Sequence, residues 1–164
     1  MSFESTIKPA AEVLINRRKP VQIITDYTRD AYRDINRSLL NGIVSEQAAQ
    51  LIEAISDLPA KPGTTYRTFW VDDLEGFIET LKARQIVFEA FTSTSRSQYI
   101  AGKFRGNVRL TIEGYSGRDI APYSDAPNEV ETLYLPGRTF RVRRVKVQKI
   151  AGKIGVIEAD LVEL

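Results

Sequence analysis

The sequence predicts an α+β fold with an antiparallel sheet. Apolar residues recur at helical spacing in the first half of the chain and alternate with a period of two in the second. The predicted helices come first and the strands after, which favours α+β over a βαβ repeat. At 164 residues, 27% charged and 43% hydrophobic, the chain has the length and mix of one globular domain. A chain of this size buries roughly 70% of the surface its unfolded form exposes, so a sizeable core is available. No repeat, low-complexity tract or linker divides it, and a single domain over 1–164 is expected.

The elements follow in order. Met1–Pro20 gives at most a short helix around Ala10–Leu14. Thr25 or Asp26 can cap a helix carrying Tyr27, Ala31, Ile35 and Leu39, closed by Asn41-Gly42. Ser45 can cap a second, with Ala48, Leu51, Ile52, Ile55 and Leu58 on one face. Asp72 and Glu75 stand at capping-box spacing for a third, which carries Phe77, Ile78 and Leu81. From Ile86 the pattern turns to strands: Ile86–Thr92, Val108–Ile112 and Thr132–Leu135. Phe140/Val142 and Val145/Val147 alternate out of phase across Arg143-Arg144. A β-bulge there keeps both pairs on one face. Ala151-Gly152-Lys153 reads as a turn into a last strand, Ile154–Val162.

Composition excludes several chemistries. With no His and no Cys, the chain cannot form a Cys/His zinc site, a disulfide, a thiol nucleophile or a Ser-His-Asp triad. The 23 Lys+Arg against 21 Asp+Glu leave a net charge of +2, so the chain is no polycation. No apolar run exceeds three residues, so neither a transmembrane helix nor a signal-peptide core is expected. Action outside the producing cell would then need another carrier.

Three short motifs carry functional chemistry. Thr65-Tyr66-Arg67-Thr68-Phe69-Trp70 sets an arginine among strand-forming residues, and a half-buried guanidinium needs an anion. Phe91-Thr-Ser-Thr-Ser95 ends an apolar strand in hydroxyls able to hold a ribose or orient a carboxylate. Glu129-Val-Glu131 enters the strand Thr132-Leu-Tyr-Leu135; on a strand, residues two apart face one side, so both carboxylates address one space. Close like charges raise one pKa, which suits electrostatic stabilisation plus general-base work. Read alone, each has an ordinary alternative: an exposed ion pair, a hydroxyl-rich strand end, a solvated edge.

In this order, Arg, Ser-Thr-Ser and Glu-x-Glu followed by Leu-Tyr-Leu-Pro-Gly resemble the Arg-Ser-Glu class of mono-ADP-ribosyltransferases, in their bacterial toxin or effector form. Asp26–Gly42 is similar to the N-terminal helix of bacterial members, and Ile112–Ile120 and Leu135–Val142 to segments flanking the glutamates. The resemblance covers about residues 23–147 and implies two packed antiparallel sheets with N-terminal helices. It implies NAD as substrate, without metal, and transfer of ADP-ribose to an arginine of a target protein.

By that resemblance, Arg67 holds the NAD phosphates, Ser93 hydrogen-bonds Glu131 and the nicotinamide-side ribose, and Thr94 and Ser95 shape the pocket. Glu131 meets the ribose 2′-hydroxyl and stabilises the positive charge left as nicotinamide departs. Glu129 orients or deprotonates the acceptor. Thr68 stands beside Arg67 where many members carry Gly. Arg96, Phe104 and Arg105 are candidates for contacting the diphosphate or stacking on nicotinamide, and Tyr123, in the loop Ser116–Asn128, for contacting the target. The resemblance also implies a toxin or secreted effector acting in a target cell's cytoplasm, with a carrier polypeptide or a neutralising immunity protein as partner and no membrane association.

Arg138–Lys153 holds seven basic residues and no acidic one. That stripe keeps open a nucleic-acid-binding module, or a transferase acting on RNA or DNA. An NAD glycohydrolase is a further alternative, though it leaves Glu129 without a task.

Overall fold

The computed structural model describes residues 19–164; the short helix expected around Ala10–Leu14 lies outside them. Helix α1 spans Pro20–Asp26, starting well before Thr25. Pro20 fixes its own φ and needs no N–H partner, so it serves as a first helical residue. Thr25 sits inside the helix, its Oγ1 2.7 Å from the Tyr123 carbonyl, and caps nothing. A π-turn over Tyr27–Ala31 joins α1 to α2, Tyr32–Leu40. Tyr27, Ile35 and Leu39 are buried as the spacing predicts.

Helix α3, Glu46–Ser56, begins at the predicted cap: Ser45 Oγ accepts from the Ala48 amide at 3.1 Å. Helix α4 is Leu74–Lys82, and its cap is Asp73, not Asp72. Asp73 Oδ1 accepts from Gly76 N at 2.9 Å, while Asp72 Oδ1 accepts from the exposed Trp70 indole at 2.8 Å. Helix α5 is a short turn, Gln98–Gly102.

The strands are β1 (Gly63–Phe69), β2 (Gln85–Phe88), β3 (Thr92–Ser95), β4 (Val108–Gly114), β5 (Arg118–Asp119), β6 (Glu131–Tyr134), β7 (Arg138–Ile150) and β8 (Lys153–Glu163). They form one eight-stranded sheet in the order β2-β7-β8-β4-β1-β3-β6-β5. The α+β class stands, with two differences from the expected pair of antiparallel sheets. The strands are continuous through hydrogen bonding, and β4 runs parallel to β8. Every other named pair is antiparallel.

The sheet nevertheless has two halves, because β1 and β3 share a single register position, Tyr66↔Ser95. Each half has its own core. In one, Leu51, Ile55, Tyr27 and Ile35 pack with Phe91, Ile120 and Leu133. In the other, Leu81 packs with Leu110, Ile112, Phe140, Ile157 and Leu161. This division breaks the strand expected over Ile86–Thr92. Ile86 and Phe88 belong to the second core and Phe91 to the first. One straight strand cannot serve both.

The bulge in β7 is present, as a register shift between Val142 and Arg144. Val142 is buried, but Val145 and Val147 are 40% and 38% exposed, because the β7–β8 ribbon runs past the core. Ala151 and Gly152 turn it with φ of 52° and 79°, both positive as a two-residue hairpin turn requires.

Candidate active site

A cavity of about 310 Å³ lies at the β1/β3 seam. β1 contributes Tyr66, Arg67, Thr68 and Phe69 to its wall, and β3 contributes Ser93, Thr94 and Ser95. Glu129 and Glu131 come from the β5–β6 side, and Phe104 and Ala101 from α5 and the loop after it. The three sequence motifs therefore meet in one space.

Arg67 projects from a half-buried strand. Its Nη1 donates to the Ser93 carbonyl at 2.9 Å, and its guanidinium carbon stands 5.0 Å from the Phe69 ring centre. Its Nε is buried and, among the described residues, has no hydrogen-bond partner. Burial lowers its pKa, opposed by Tyr27 and Glu131. A buried guanidinium with an unsatisfied N–H is a place for an anion.

Glu131 opens β6 opposite Ser95 and is 8% exposed. Burial pushes its carboxyl up to about 7, against the lowering effect of a hydrogen bond from Ser93. Glu129 adds to the rise and Arg67 opposes it. Near neutral pH this carboxyl is therefore divided between its two protonation states.

Both glutamates reach the cavity, but not because they share a strand. Glu129 lies in a 3-10 turn, Pro127–Glu129, and Val130 between them adopts the left-handed conformation with φ 51° and ψ 47°. For a β-branched residue this is strained. The kink redirects the chain from the turn into β6. Ser95 secures the turn, its hydroxyl donating to the Glu129 carbonyl at 2.7 Å.

The remaining predicted residues divide. Thr68 and Phe104 line the cavity, Phe104 being 48% exposed. Thr94 also lines it, but its hydroxyl donates to the Thr132 carbonyl at 2.7 Å. Arg96 lies outside the lining and pairs with Asp119 and the Thr132 hydroxyl, each at 3.0 Å. Arg105 is exposed on the loop after α5, also outside the lining. Tyr123 is half-buried against the helical core. Its loop is tied to the helices by Thr25 Oγ1 on the Tyr123 carbonyl, by Asp125 N on Thr28 Oγ1 at 2.9 Å, and by Arg29 with Asp125 at 3.4 Å.

Sequence reasoning missed the helical wall of Tyr27, Thr28 and Tyr32. In a regular α-helix residues five apart point in different directions. The π-turn brings Tyr27 and Tyr32 to one cavity, their rings 6.3 Å apart edge to face. Burial pushes the Tyr27 phenol up to about 12, with the Asn36 hydrogen bond opposing, so it stays protonated. Asn36 Nδ2 donates to Tyr27 Oη at 3.1 Å, and Asn36 Oδ1 accepts from Phe91 N at 3.2 Å. Asn107 is a second miss. It exchanges two 2.8 Å bonds with the Val71 backbone and pins the loop from α5 to the end of β1. A tyrosine pair off the helical period, with Asn36 one turn on, was the available signal for the first. For Asn107 there was none.

The protein-family model described as ADP-ribosyltransferase exoenzyme matches residues 5–163. The putative NAD(+)–arginine ADP-ribosyltransferase Mav of Mycobacterium avium (strain 104) is 32% identical over 138 residues, 79% of this chain and 16% of Mav. The chain thus spans a small part of that relative's length. Exoenzyme S of Pseudomonas aeruginosa, solved with human 14-3-3 protein beta and carba-NAD, superposes with a TM-score of 0.71 at 22% identity, over 88% of this chain and 72% of that one. The Vis ADP-ribosyltransferase of Vibrio splendidus, solved with agmatine, also gives 0.71, at 20% identity over 100% of this chain and 86% of that one. With a family model matched over nearly its whole length, and that family's fold around the cavity, this chain belongs to the ADP-ribosyltransferase exoenzymes.

Proposed function

We propose that this chain transfers ADP-ribose from NAD to the guanidinium of an arginine on a target protein, releasing nicotinamide. The observation that carries the reading is the meeting of Arg67, with its unsatisfied buried Nε, and Glu131 across one cavity. Arg67 holds the diphosphate through the part of its guanidinium that lines the cavity. Ser93 orients Glu131 and the adjacent ribose. Phe104 offers an exposed ring at the cavity wall for nicotinamide. As the ribose–nicotinamide bond breaks, its electron pair leaves with nicotinamide, and the ionised Glu131 stabilises the positive charge that develops on the ribose. Glu129 takes the proton released when the acceptor nitrogen bonds to the ribose carbon. Arg96 is committed to Asp119, so it braces β5 and leaves the phosphates to Arg67. Tyr123 keeps part of its ring exposed for the target, on a loop already fastened to the helices.

The arginine acceptor draws support from the name of Mav and from the guanidinium compound agmatine in the Vis structure; the donor draws support from carba-NAD in exoenzyme S. The fold also weakens the appeal of a nucleic acid. Across the β7–β8 ribbon Arg144 faces Asp160 and Lys146 faces Glu158, while Arg143 pairs with Glu113 at 3.2 Å and Arg138 with Glu163 at 2.7 Å. Two of the seven basic residues are thus committed to acids of neighbouring strands, and two more have an acid at the opposite register position. We further propose that the chain acts in the cytoplasm of a target cell as part of a longer effector, restrained in its producer by an immunity protein. Among the described residues no helix is long and apolar enough to cross a membrane.

The test is labelling of a lysate with tagged NAD, using wild type beside Glu131→Ala and treating half of each reaction with protease and half with nuclease. A Glu131-dependent signal lost to protease supports the reading; a signal lost only to nuclease moves the acceptor to RNA or DNA. Glu129→Gln separates the two roles: transfer should be lost while some NAD hydrolysis persists.

A further inference from the structure

β2 pairs with β7 only between Gln85–Phe88 and Arg138–Arg141. One more backbone bond, Val142 N to Arg84 O at 2.9 Å, ends that edge. Beyond it, among the described residues, β7 is paired on its β8 side alone. Every residue from Arg143 to Ile150 is exposed, so this edge presents a row of unpaired backbone donors and acceptors.

Where β2 stops, a cavity of about 380 Å³ opens against the same edge. Its apolar surface is Ile78 and Leu81 of α4 with Val142 and Val145 of β7. Of the cations around it, Lys82 is paired with Glu79 at 2.7 Å and Arg143 with Glu113 at 3.2 Å. Arg84 and Arg144 have no ion pair within 4.0 Å among the described residues. A sheet edge, an apolar hollow and two uncommitted guanidiniums thus lie side by side.

We infer that the edge Arg143–Lys149, with the hollow beside it, is a docking site for an extended segment of a partner protein in which acidic and apolar residues alternate. The segment continues the line of β2. Its backbone bonds the free edge, its apolar side chains enter the hollow, and its carboxylates meet Arg84 and Arg144. A second copy of this chain is disfavoured as occupant, because edge-to-edge pairing would set Arg143, Arg144, Lys146 and Lys149 against their own kind. A phosphate backbone is disfavoured too, because it has no apolar side chains to fill the hollow of Ile78, Leu81, Val142 and Val145. The inference is independent of the transferase reading.

The test uses the described protein and a dye-labelled heptapeptide alternating valine and glutamate. One control peptide carries lysine for glutamate; a second carries N-methyl groups on alternate backbone amides. Anisotropy should report binding of the first peptide alone, and hydrogen exchange should slow at the amides of Arg143–Lys149. Arg144→Gln should weaken binding about tenfold or more, as loss of a close charge pair does, with the melting temperature changed little because Arg144 is exposed and makes no ion pair with Asp160 opposite it. Glu131→Ala should bind as wild type does, which keeps this result separate from the fate of the active site. The proposal is overturned if the valine–glutamate peptide does not bind, if either control binds equally well, if protection appears elsewhere, or if a short DNA duplex displaces the peptide.

Discussion

Nη1 of Arg67 donates to the backbone carbonyl of Ser93 at 2.9 Å, across the place where the two halves of the sheet touch. β1 and β3 share a single register position there, so this bond braces a narrow junction. The same guanidinium faces the cavity with an unsatisfied Nε. Lysine keeps the charge but loses the planar fork. Arg67→Lys should lower kcat/KM for NAD by about 100-fold or more while costing only about 1–2 kcal/mol of stability. Steady-state kinetics and chemical denaturation measure the two effects. Near-wild-type kinetics in the variant would remove Arg67 from donor binding.

Glu131 gives the molecule a pH signature. Its carboxyl is pushed up to about 7 by burial, from an ordinary value of 4.5. Between those two values the folded chain keeps a proton that the unfolded chain has released, so stability falls as pH rises through this window and levels off above it. Glu131→Gln removes that dependence. Its stability relative to wild type should rise between pH 4.5 and 7 by a few kcal/mol, at about 1.4 kcal/mol per pKa unit. Activity runs the other way: in the proposed mechanism the ionised carboxylate is the working form, so kcat/KM for NAD should climb to half its maximum near pH 7. A variant-minus-wild-type stability that ignores pH would show that burial does not perturb this group.

Val130 should tolerate glycine and reject proline. Its φ of 51° is natural for glycine, and the strain that glycine relieves is offset by the chain entropy it adds. Val130→Gly should keep stability within about 1 kcal/mol of wild type and retain activity. Proline locks φ near −65° and removes the amide that bonds the Pro127 carbonyl at 3.2 Å. Val130→Pro should therefore lose the turn, and with it Glu129-dependent transfer. Nicotinamide release and acceptor labelling, assayed side by side, distinguish these outcomes.

Glu163 anchors the end of β8. Its buried carboxylate accepts from Tyr115 N at 2.7 Å, Ser116 N at 2.8 Å and Arg138 Nε at 2.8 Å, and from the Ser116 hydroxyl. Burial alone would raise its pKa; the bonds from Ser116, Tyr115 and Arg138 outweigh burial and hold it below the ordinary value. It therefore contributes stability above its unfolded pKa, and that contribution is lost as pH falls through the folded one. Glu163→Ala should cost about 1–3 kcal/mol at neutral pH, since it leaves two backbone amides without their acceptor, while the part-exposed Arg138 keeps its bond to Tyr115 Oη. The deficit should shrink in acid. Denaturation midpoints across pH follow it directly.

What the sequence disclosed was local. Ser45 caps α3 because a hydroxyl three residues before an amide settles that helix start without reference to the rest of the fold. Arg67, Ser93 and Glu131 were recognisable by type and order, and they share one cavity. The failures are of range. Asp72 stands at capping-box spacing from Glu75, but its carboxylate accepts from the Trp70 indole and the neighbouring Asp73 caps the helix. Alternation marks β8 as a strand but cannot reveal that its parallel partner is β4. The carboxylate pair was expected to converge by strand geometry and converges instead through the backbone of Val130. Tyr27 was legible as core, yet the π-turn that also makes it cavity wall shows only in the five-residue spacing of Tyr27 and Tyr32, which a regular helical period does not bring together.

The junction at Tyr66 and Ser95 has a consequence for how this molecule fails. Each half of the sheet carries its own apolar cluster, so either can hold together when the contact between them loosens. The cavity cannot, because its cationic wall belongs to β1 and its hydroxyl and carboxylate walls to β3 and β6. On gentle heating, then, catalysis should vanish before circular dichroism records any melting. For the same reason, a ligand that wedges β1 away from β3 would disarm the chain while leaving both clusters intact.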